Sequence, residues 1–66
     1  MIGGKIRELR KEKSFTQEDL AKLLGIGRAT LASYETNKRY VPLQMLPIIA
    51  QFFGVSIDFL FGLADG

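Results

Sequence analysis

The 66-residue sequence is long enough for one domain with a small hydrophobic core, and 47% of its residues are apolar. It contains no cysteine and no histidine. That excludes a disulfide framework, a Cys/His zinc site and the side chains that most often carry acid–base catalysis near neutral pH. The net charge is +2 and every basic residue lies at or before Arg39, so a surface facing a polyanion must come from the first two-thirds of the chain.

These features predict an intracellular, cytoplasmic domain over residues 1–66 that is a binding module and not an enzyme. No apolar run is long enough to cross a bilayer, and the N-terminus lacks the pattern of a signal peptide. We expect no catalytic site, metal or cofactor, and no small-molecule ligand or membrane as a partner of this domain. Residues 62–66 are typical of the start of a linker, which favours a piece of a longer chain.

Apolar residues recur at helical spacing along the whole sequence, and no stretch alternates with a period of two for long. The first helix fades near residues 13–14. The residues predicted to face inward are Ile2, Ile6 and Leu9 in the first helix, Leu20, Leu23 and Leu24 in the second, and Leu31 and Tyr34 in the third.

Two further helices follow a Val-Pro pair at residues 41–42, which favours extended backbone. The fourth helix covers roughly residues 44–53, with Pro47 in its first turn, and stops at Gly54. The fifth covers roughly residues 57–61 and stops at Gly62. The sequence therefore predicts an all-α bundle of five helices.

Capping residues define where three of these helices begin. Thr16 is placed to cap the second helix, with Asp19 three residues later as in a capping box. Ser56 is placed to cap the fifth helix, and Gly27 occupies the weaker cap of the third.

The "GIG" at residues 25–27 predicts an abrupt turn between the second and third helices. Gly25 ends one helix in the left-handed conformation, Gly27 opens the next, and Ile26 between them points into the core. Ala21 is small where the two helices cross. This is a helix-turn-helix layout, in which the second helix of the pair is presented outward.

The outward face of the third helix is small and polar. At about 100° per residue, with Leu31 inward, Ala29, Ser33 and Thr36 point outward, and Arg28 lies at the N-terminal rim. Such a face fits deep in a major groove, where one arginine offers two donors to guanine.

The sequence resembles the phage repressor and Cro family of helix-turn-helix, lambda-repressor-like DNA-binding domains. The resemblance is carried by "IRELRKEKSFTQEDLAKLLGIGRATLASYE", "NKRYVP" and "LPIIAQFFGVSIDFLFG", in this order and spacing. It implies a five-helix all-α bundle that binds double-stranded operator DNA, usually as a two-fold dimer, and acts as a transcriptional repressor.

By position, the resemblance implies roles for individual residues. Gln17 would touch a DNA phosphate and brace the recognition helix, and Arg10 and Glu35 would form an ion pair between the first and third helices. Base-reading positions are occupied by Gly27, Arg28, Ala29 and Ser33, and DNA-backbone positions by Thr36 and Lys38.

Two residues depart from the family pattern. Glycine at position 27 replaces the usual serine or threonine, which shifts base reading onto Arg28. Leu43 replaces a polar cap before the fourth helix, so it either frays that helix or joins the core.

The C-terminal third holds more apolar residues than a thin bundle can bury. Leu46, Ile49, Phe53, Ile57 and Leu60 have the better claim to the core, and Ile48, Phe52, Phe59, Phe61 and Leu63 form the surplus. An exposed patch of this kind usually marks an interface, so Phe59, Phe61 or Leu63 are predicted to join two copies. The competing hypothesis is a helix-turn-helix module that docks another protein, as in antitoxins, which apolar exposure on the third helix would favour.

Overall fold

The chain folds into five α-helices and connecting turns. The structure is a computed structural model, and it describes residues 2–63. The predicted all-α class and the number of helices are confirmed, and none of the described helices is long and apolar enough to cross a bilayer. The last three residues of the predicted linker lie outside the described residues. The helices are α1 (Ile2–Glu12), α2 (Gln17–Leu24), α3 (Arg28–Glu35), α4 (Met45–Phe53) and α5 (Ile57–Leu60).

Every helix contributes one aliphatic side chain that is completely buried. These side chains belong to the same hydrophobic cluster, and the partly buried Ile26 and Val55 pack against it from the turns. Complete burial of one such side chain stabilises a fold by about 1.5–3 kcal/mol. The five residues are Ile6, Leu20, Leu31, Ile49 and Leu60.

The predicted caps fix the helix ends. Thr16 Oγ1 accepts a hydrogen bond from the Asp19 amide at 3.0 Å, and the Asp19 carboxylate accepts one from the Thr16 amide at 3.0 Å. Ser56 Oγ accepts a bond from the Phe59 amide at 3.0 Å. Gly54 ends α4 in the left-handed conformation, with φ of 69°.

The start of α4 has no side-chain cap. Gln44 occupies the cap position without a side-chain hydrogen bond, and Leu43 before it is 81% exposed and does not join the core. The Met45 amide instead bonds to the Pro42 carbonyl at 2.9 Å. Pro47 is the third residue of α4, where the helix has no hydrogen bond for its missing N–H to lose.

The prediction that Leu23 faces inward is wrong. Leu23 is 57% exposed, whereas Ala21 is only 2% exposed. At about 100° per residue, the buried side of α2 is centred between Leu20 and Ala21, which places Leu23 outside it. Leu20 and Ala21 are the residues of α2 that belong to the hydrophobic core, so their side of the helix is the covered one.

Three predictions about the C-terminal apolar residues are also corrected. The helix α5 is a single turn and Leu60 is its buried residue, so Ile57 remains 37% exposed. Phe52 is partly buried between Phe15 and Phe53, with ring centroids 6.1 and 5.1 Å away. Phe59 is partly buried against the core, so Ile48, Phe61 and Leu63 remain of the predicted surplus, and the exposed Ile57 joins them.

Candidate nucleic-acid interface

The turn between α2 and α3 is built by residues 25–27. Gly25 has φ of 74° and ψ of 30°, the left-handed conformation that glycine adopts without strain. The Ile26 amide returns to the Ala21 carbonyl at 2.9 Å, which closes the end of α2. Gly27 is extended, and its carbonyl accepts the first hydrogen bond of α3, from the Leu31 amide at 3.1 Å. Three residues thus reverse the chain and fix α3 against α2.

The two sides of α3 differ in size and polarity. Leu31 and Tyr34 are buried on the inner side, at 0% and 4% exposure. Arg28, Ala29 and Thr36 are exposed, and Ser33 is half-buried. The outer side therefore carries no large apolar group, as expected from the sequence.

Arg28 is the first residue of α3 and the only charged side chain on that outer side. Gly27 before it provides no side-chain hydrogen bond, so the cap hydroxyl usual at this position is missing. Among residues 2–63, the Arg28 guanidinium makes no ion pair. Its five N–H donors are available to a ligand in front of the helix.

A buried polar network joins α1, α2 and α3 behind the outer side. Arg10 donates from Nε to Glu35 Oε2 at 2.7 Å and from Nη2 to Oε1 at 3.1 Å. Its third bond, from Nη1 to the Phe15 carbonyl at 2.8 Å, holds the turn before α2. Gln17 Nε2 donates to Glu35 Oε1 at 3.1 Å. The network fixes the angle of α3 relative to the other two helices.

This network leaves no polar group stranded. Glu35 is 5% exposed and Arg10 is 8% exposed. In the part of the chain that the structure describes, no buried side-chain nitrogen or oxygen lacks a hydrogen-bond partner. A buried ion pair is tolerated only when it is satisfied in this way.

Backbone amides and the Thr36 hydroxyl form the hydrogen bonds that hold the turn after α3. Thr36 Oγ1 donates to the Ala32 carbonyl at 2.9 Å, so its proton is already engaged. Asn37 adopts the left-handed conformation, with φ of 60°, and the Lys38 amide bonds to the Ser33 carbonyl at 2.9 Å. Two exposed cationic side chains remain in this turn, Lys38 and Arg39, and neither makes an ion pair with any described residue.

The three residues predicted to join two copies fall into two groups. Phe61 and Leu63 are 48% and 78% exposed. Phe59 is partly buried, and the Lys5 ammonium lies 4.7 Å from the centroid of its ring. Phe61 and Leu63 are therefore accessible, whereas Lys5 covers one face of Phe59.

The burial of Gly3 in α1 was not predicted from the sequence. Gly3 is buried, although only Ile2, Ile6 and Leu9 of this helix are predicted from the sequence to face inward. A signal was present, because glycine is an unfavourable helix residue and Gly3 lies three positions before the inward-facing Ile6, on the same face of the helix.

Comparison with known proteins agrees with this geometry. A family model described as helix-turn-helix matches residues 6–60. The "Uncharacterized HTH-type transcriptional regulator YobD" of Bacillus subtilis is 38% identical over 65 residues, which cover 98% of this chain and 58% of YobD. The "Cryptic phage CTXphi transcriptional repressor RstR" of Vibrio cholerae is 37% identical over 57 residues, which cover 86% of this chain and 51% of RstR. The chain thus spans little more than half the length of these relatives.

A solved structure shares the fold. The crystal structure of the master regulator for biofilm formation SinR in complex with DNA superposes with a TM-score of 0.81 and 34% identity. The superposition covers 92% of this chain and 98% of the SinR chain. The resemblance recognised in the sequence and the predicted fold class are confirmed.

Proposed function

The chain belongs to the helix-turn-helix family, and from that premise we propose that it binds double-stranded DNA sequence-specifically and regulates transcription as a repressor. The observation that carries the proposal is the form of α3: a short helix, braced from behind, whose outer side is small and polar with one free arginine at its N-terminal end. The role is one of binding and not of catalysis. Because RstR and YobD are bacterial and bacterial DNA lies in the cytoplasm, the proposal includes a cytoplasmic location.

Base reading falls mainly to Arg28. A guanidinium presents two parallel N–H groups that match the O6 and N7 acceptors of guanine in the major groove. Gly27 and Ala29 beside it are small, which lets the N-terminal end of α3 approach the base edges. Ser33, one turn further along, is half-buried and contributes a hydroxyl at the side of the helix.

Contacts with the DNA backbone fall to Gln17 and Lys38 on either side of α3. Lys38 has an exposed ammonium without an ion-pair partner among the described residues. One side-chain amide proton of Gln17 is hydrogen-bonded to Glu35, and the second is available to a phosphate oxygen. Thr36 can donate to a phosphate only after releasing the Ala32 carbonyl, so its contribution is the smaller one.

Selection of binding sites from random duplex DNA, followed by titration of variants, tests this assignment. Arg28→Ala should cost about 1–3 kcal/mol on the selected duplex and little on its scrambled form. Lys38→Ala should weaken binding to both alike and lower the salt dependence of log K by about one unit. Equal losses from Arg28→Ala on both duplexes would make Arg28 a backbone contact. Absence of any selected site would overturn the proposal.

The proposal includes a two-fold homodimer on DNA. Phe61 and Leu63 are exposed, and Phe61 lines a groove of about 270 Å³ with Ile2, Tyr40 and Val41. Burial of these groups in a second copy would join two protomers, and two-fold helix-turn-helix dimers set their recognition helices about 34 Å apart, one turn of DNA. Sedimentation with the selected duplex should give two protomers per site, and Phe61→Ser should reduce that number. A single protomer bound to the complete selected duplex would contradict the proposed dimer.

A further inference from the structure

Gly3 lies at the closest approach of α1 to the end of α3. A β-carbon built at Gly3 would overlap the carbonyl oxygen of Tyr34 and would lie 2.7 Å from Oδ1 of Asn37. Real β-carbons essentially never show such distances, so any side chain here requires movement of the backbone around Tyr34. A β-carbon built at the neighbouring Gly4 would meet nothing within 4 Å apart from its chain neighbours and the backbone of its own helix. Two adjacent glycines in one helix thus differ completely in their surroundings.

The atoms that Gly3 contacts define the turn after α3. The Tyr34 carbonyl accepts the Asn37 amide at 3.2 Å, and Asn37 itself is held at φ of 60°. This left-handed residue reverses the chain and brings the Lys38 amide back to the Ser33 carbonyl at 2.9 Å. A displacement of Tyr34 or Asn37 therefore changes the direction in which Lys38 leaves the turn.

We propose that Gly3 is a positioning residue for DNA binding: by lacking a side chain it lets α1 lie against Tyr34 and Asn37, and this contact aims Lys38 at the DNA backbone. The inference rests on the proposed function, because Lys38 has a phosphate to reach only if the chain binds DNA. Gly3 touches no nucleic acid and acts through the turn.

The expected effect is the loss of one phosphate contact. Each phosphate neutralised contributes a slope of about 0.9 to the dependence of log K on log salt, which corresponds to about eightfold in affinity at ~0.1 M salt. Gly3→Ala should therefore lower the slope by about one unit and weaken binding to the selected and the scrambled duplex by the same factor, because base reading by Arg28 is unchanged.

Gly4→Ala is the matched control. It makes the same chemical change one position along the same helix, where the structure offers open space, and alanine favours the helix over glycine. Its thermal midpoint should rise and its DNA affinity and salt slope should equal those of the unchanged chain. All titrations are made at a temperature at which circular dichroism shows every variant to be folded.

A double variant separates positioning from a purely structural role. If Gly3 acts through Lys38, Lys38→Ala should have no further effect on affinity or salt slope in the Gly3→Ala background. The amide resonances of Asn37 and Lys38 should shift in Gly3→Ala and not in Gly4→Ala. Should Gly3→Ala fail to fold, Asn37→Ala disturbs the same turn, because it removes the Oδ1 that faces Gly3 and places alanine at φ of 60°. It should show the same loss of slope and the same lack of additivity with Lys38→Ala.

The inference is overturned if folded Gly3→Ala keeps the full salt slope, or if the losses from Gly3→Ala and Lys38→Ala simply add. If Asn37→Ala has to be used instead, the inference is overturned when Asn37→Ala keeps the full salt slope or when its loss and that of Lys38→Ala simply add. Failure of the proposed function looks different: the unchanged chain would then select no duplex at all. In that case the amide shifts of Asn37 and Lys38 still decide whether Gly3 controls the turn.

Discussion

Removal of one partner from the Arg10–Glu35 pair should cost much of the stability of this small fold. Arg10→Met deletes both bonds to Glu35 and the bond to the Phe15 carbonyl, and leaves a 5% exposed carboxylate with only the Gln17 amide as partner. Breaking a buried pair in this way costs about 3–5 kcal/mol. At roughly 0.05–0.15 kcal/mol per residue, 66 residues have a total free energy of unfolding of about 3–10 kcal/mol.

The double variant Arg10→Met with Glu35→Leu should recover most of that loss. Apolar residues of similar size remove the unpaired charge, and such replacements are often neutral or stabilising. Urea unfolding followed by circular dichroism gives the four free energies of a double-mutant cycle, provided that the slopes with urea agree. The coupling energy should be at least about 2 kcal/mol, within the range found for residues in contact.

Gln17→Ala provides the scale for this measurement. It removes a single hydrogen bond to Glu35 while the ion pair remains, so its cost should be about 1 kcal/mol. A cost below about 1 kcal/mol for Arg10→Met would show that the pair is effectively solvated. A double variant that loses the sum of the two single losses would refute the reasoning that Arg10 and Glu35 depend on each other.

Three further comparisons of variants test the caps and the core by urea unfolding. Gly27→Ser should be more stable than Gly27→Ala by about 1 kcal/mol, because serine restores the missing cap of α3 and the site has room; equal stabilities would contradict it. Hydrogen bonds from Thr16, first from its amide, and the charge of Lys22 lower the pKa of the Asp19 carboxyl below 3.8. The contribution of the Asp19 carboxylate to the capping box is therefore fully present above the ordinary pKa and is lost as the pH falls through the lowered pKa, so the advantage over Asp19→Asn should vanish in acid and not in base. Leu60→Ala should cost about 2–5 kcal/mol and the exposed Leu63→Ala almost nothing, and similar costs would contradict the burial of Leu60.

The helix boundaries and the helix-turn-helix turn could be predicted from the sequence because local chemistry determines them. Thr16 with Asp19 and Ser56 satisfy the first amides of their own helices within three residues. Gly25 provides a left-handed backbone that other residues adopt only with strain. These interactions involve neighbours along the chain, so their partners are visible in the sequence, and the outer side of α3 follows from helical periodicity once Leu31 points inward.

Tertiary packing decided which residues of each helix meet which neighbours. The spacing of Leu20, Leu23 and Leu24 was compatible with several orientations of α2, and in the folded chain the core covers Ala21 while Leu23 is exposed. Gly3 is buried because the carbonyl of Tyr34, 31 positions away, occupies the space of its side chain. The sequence by itself determined where the helices begin, where they turn and which family they form. How closely the helices approach one another depended on the packing of the whole core, because no single residue pattern in the sequence encodes the distance between two helices.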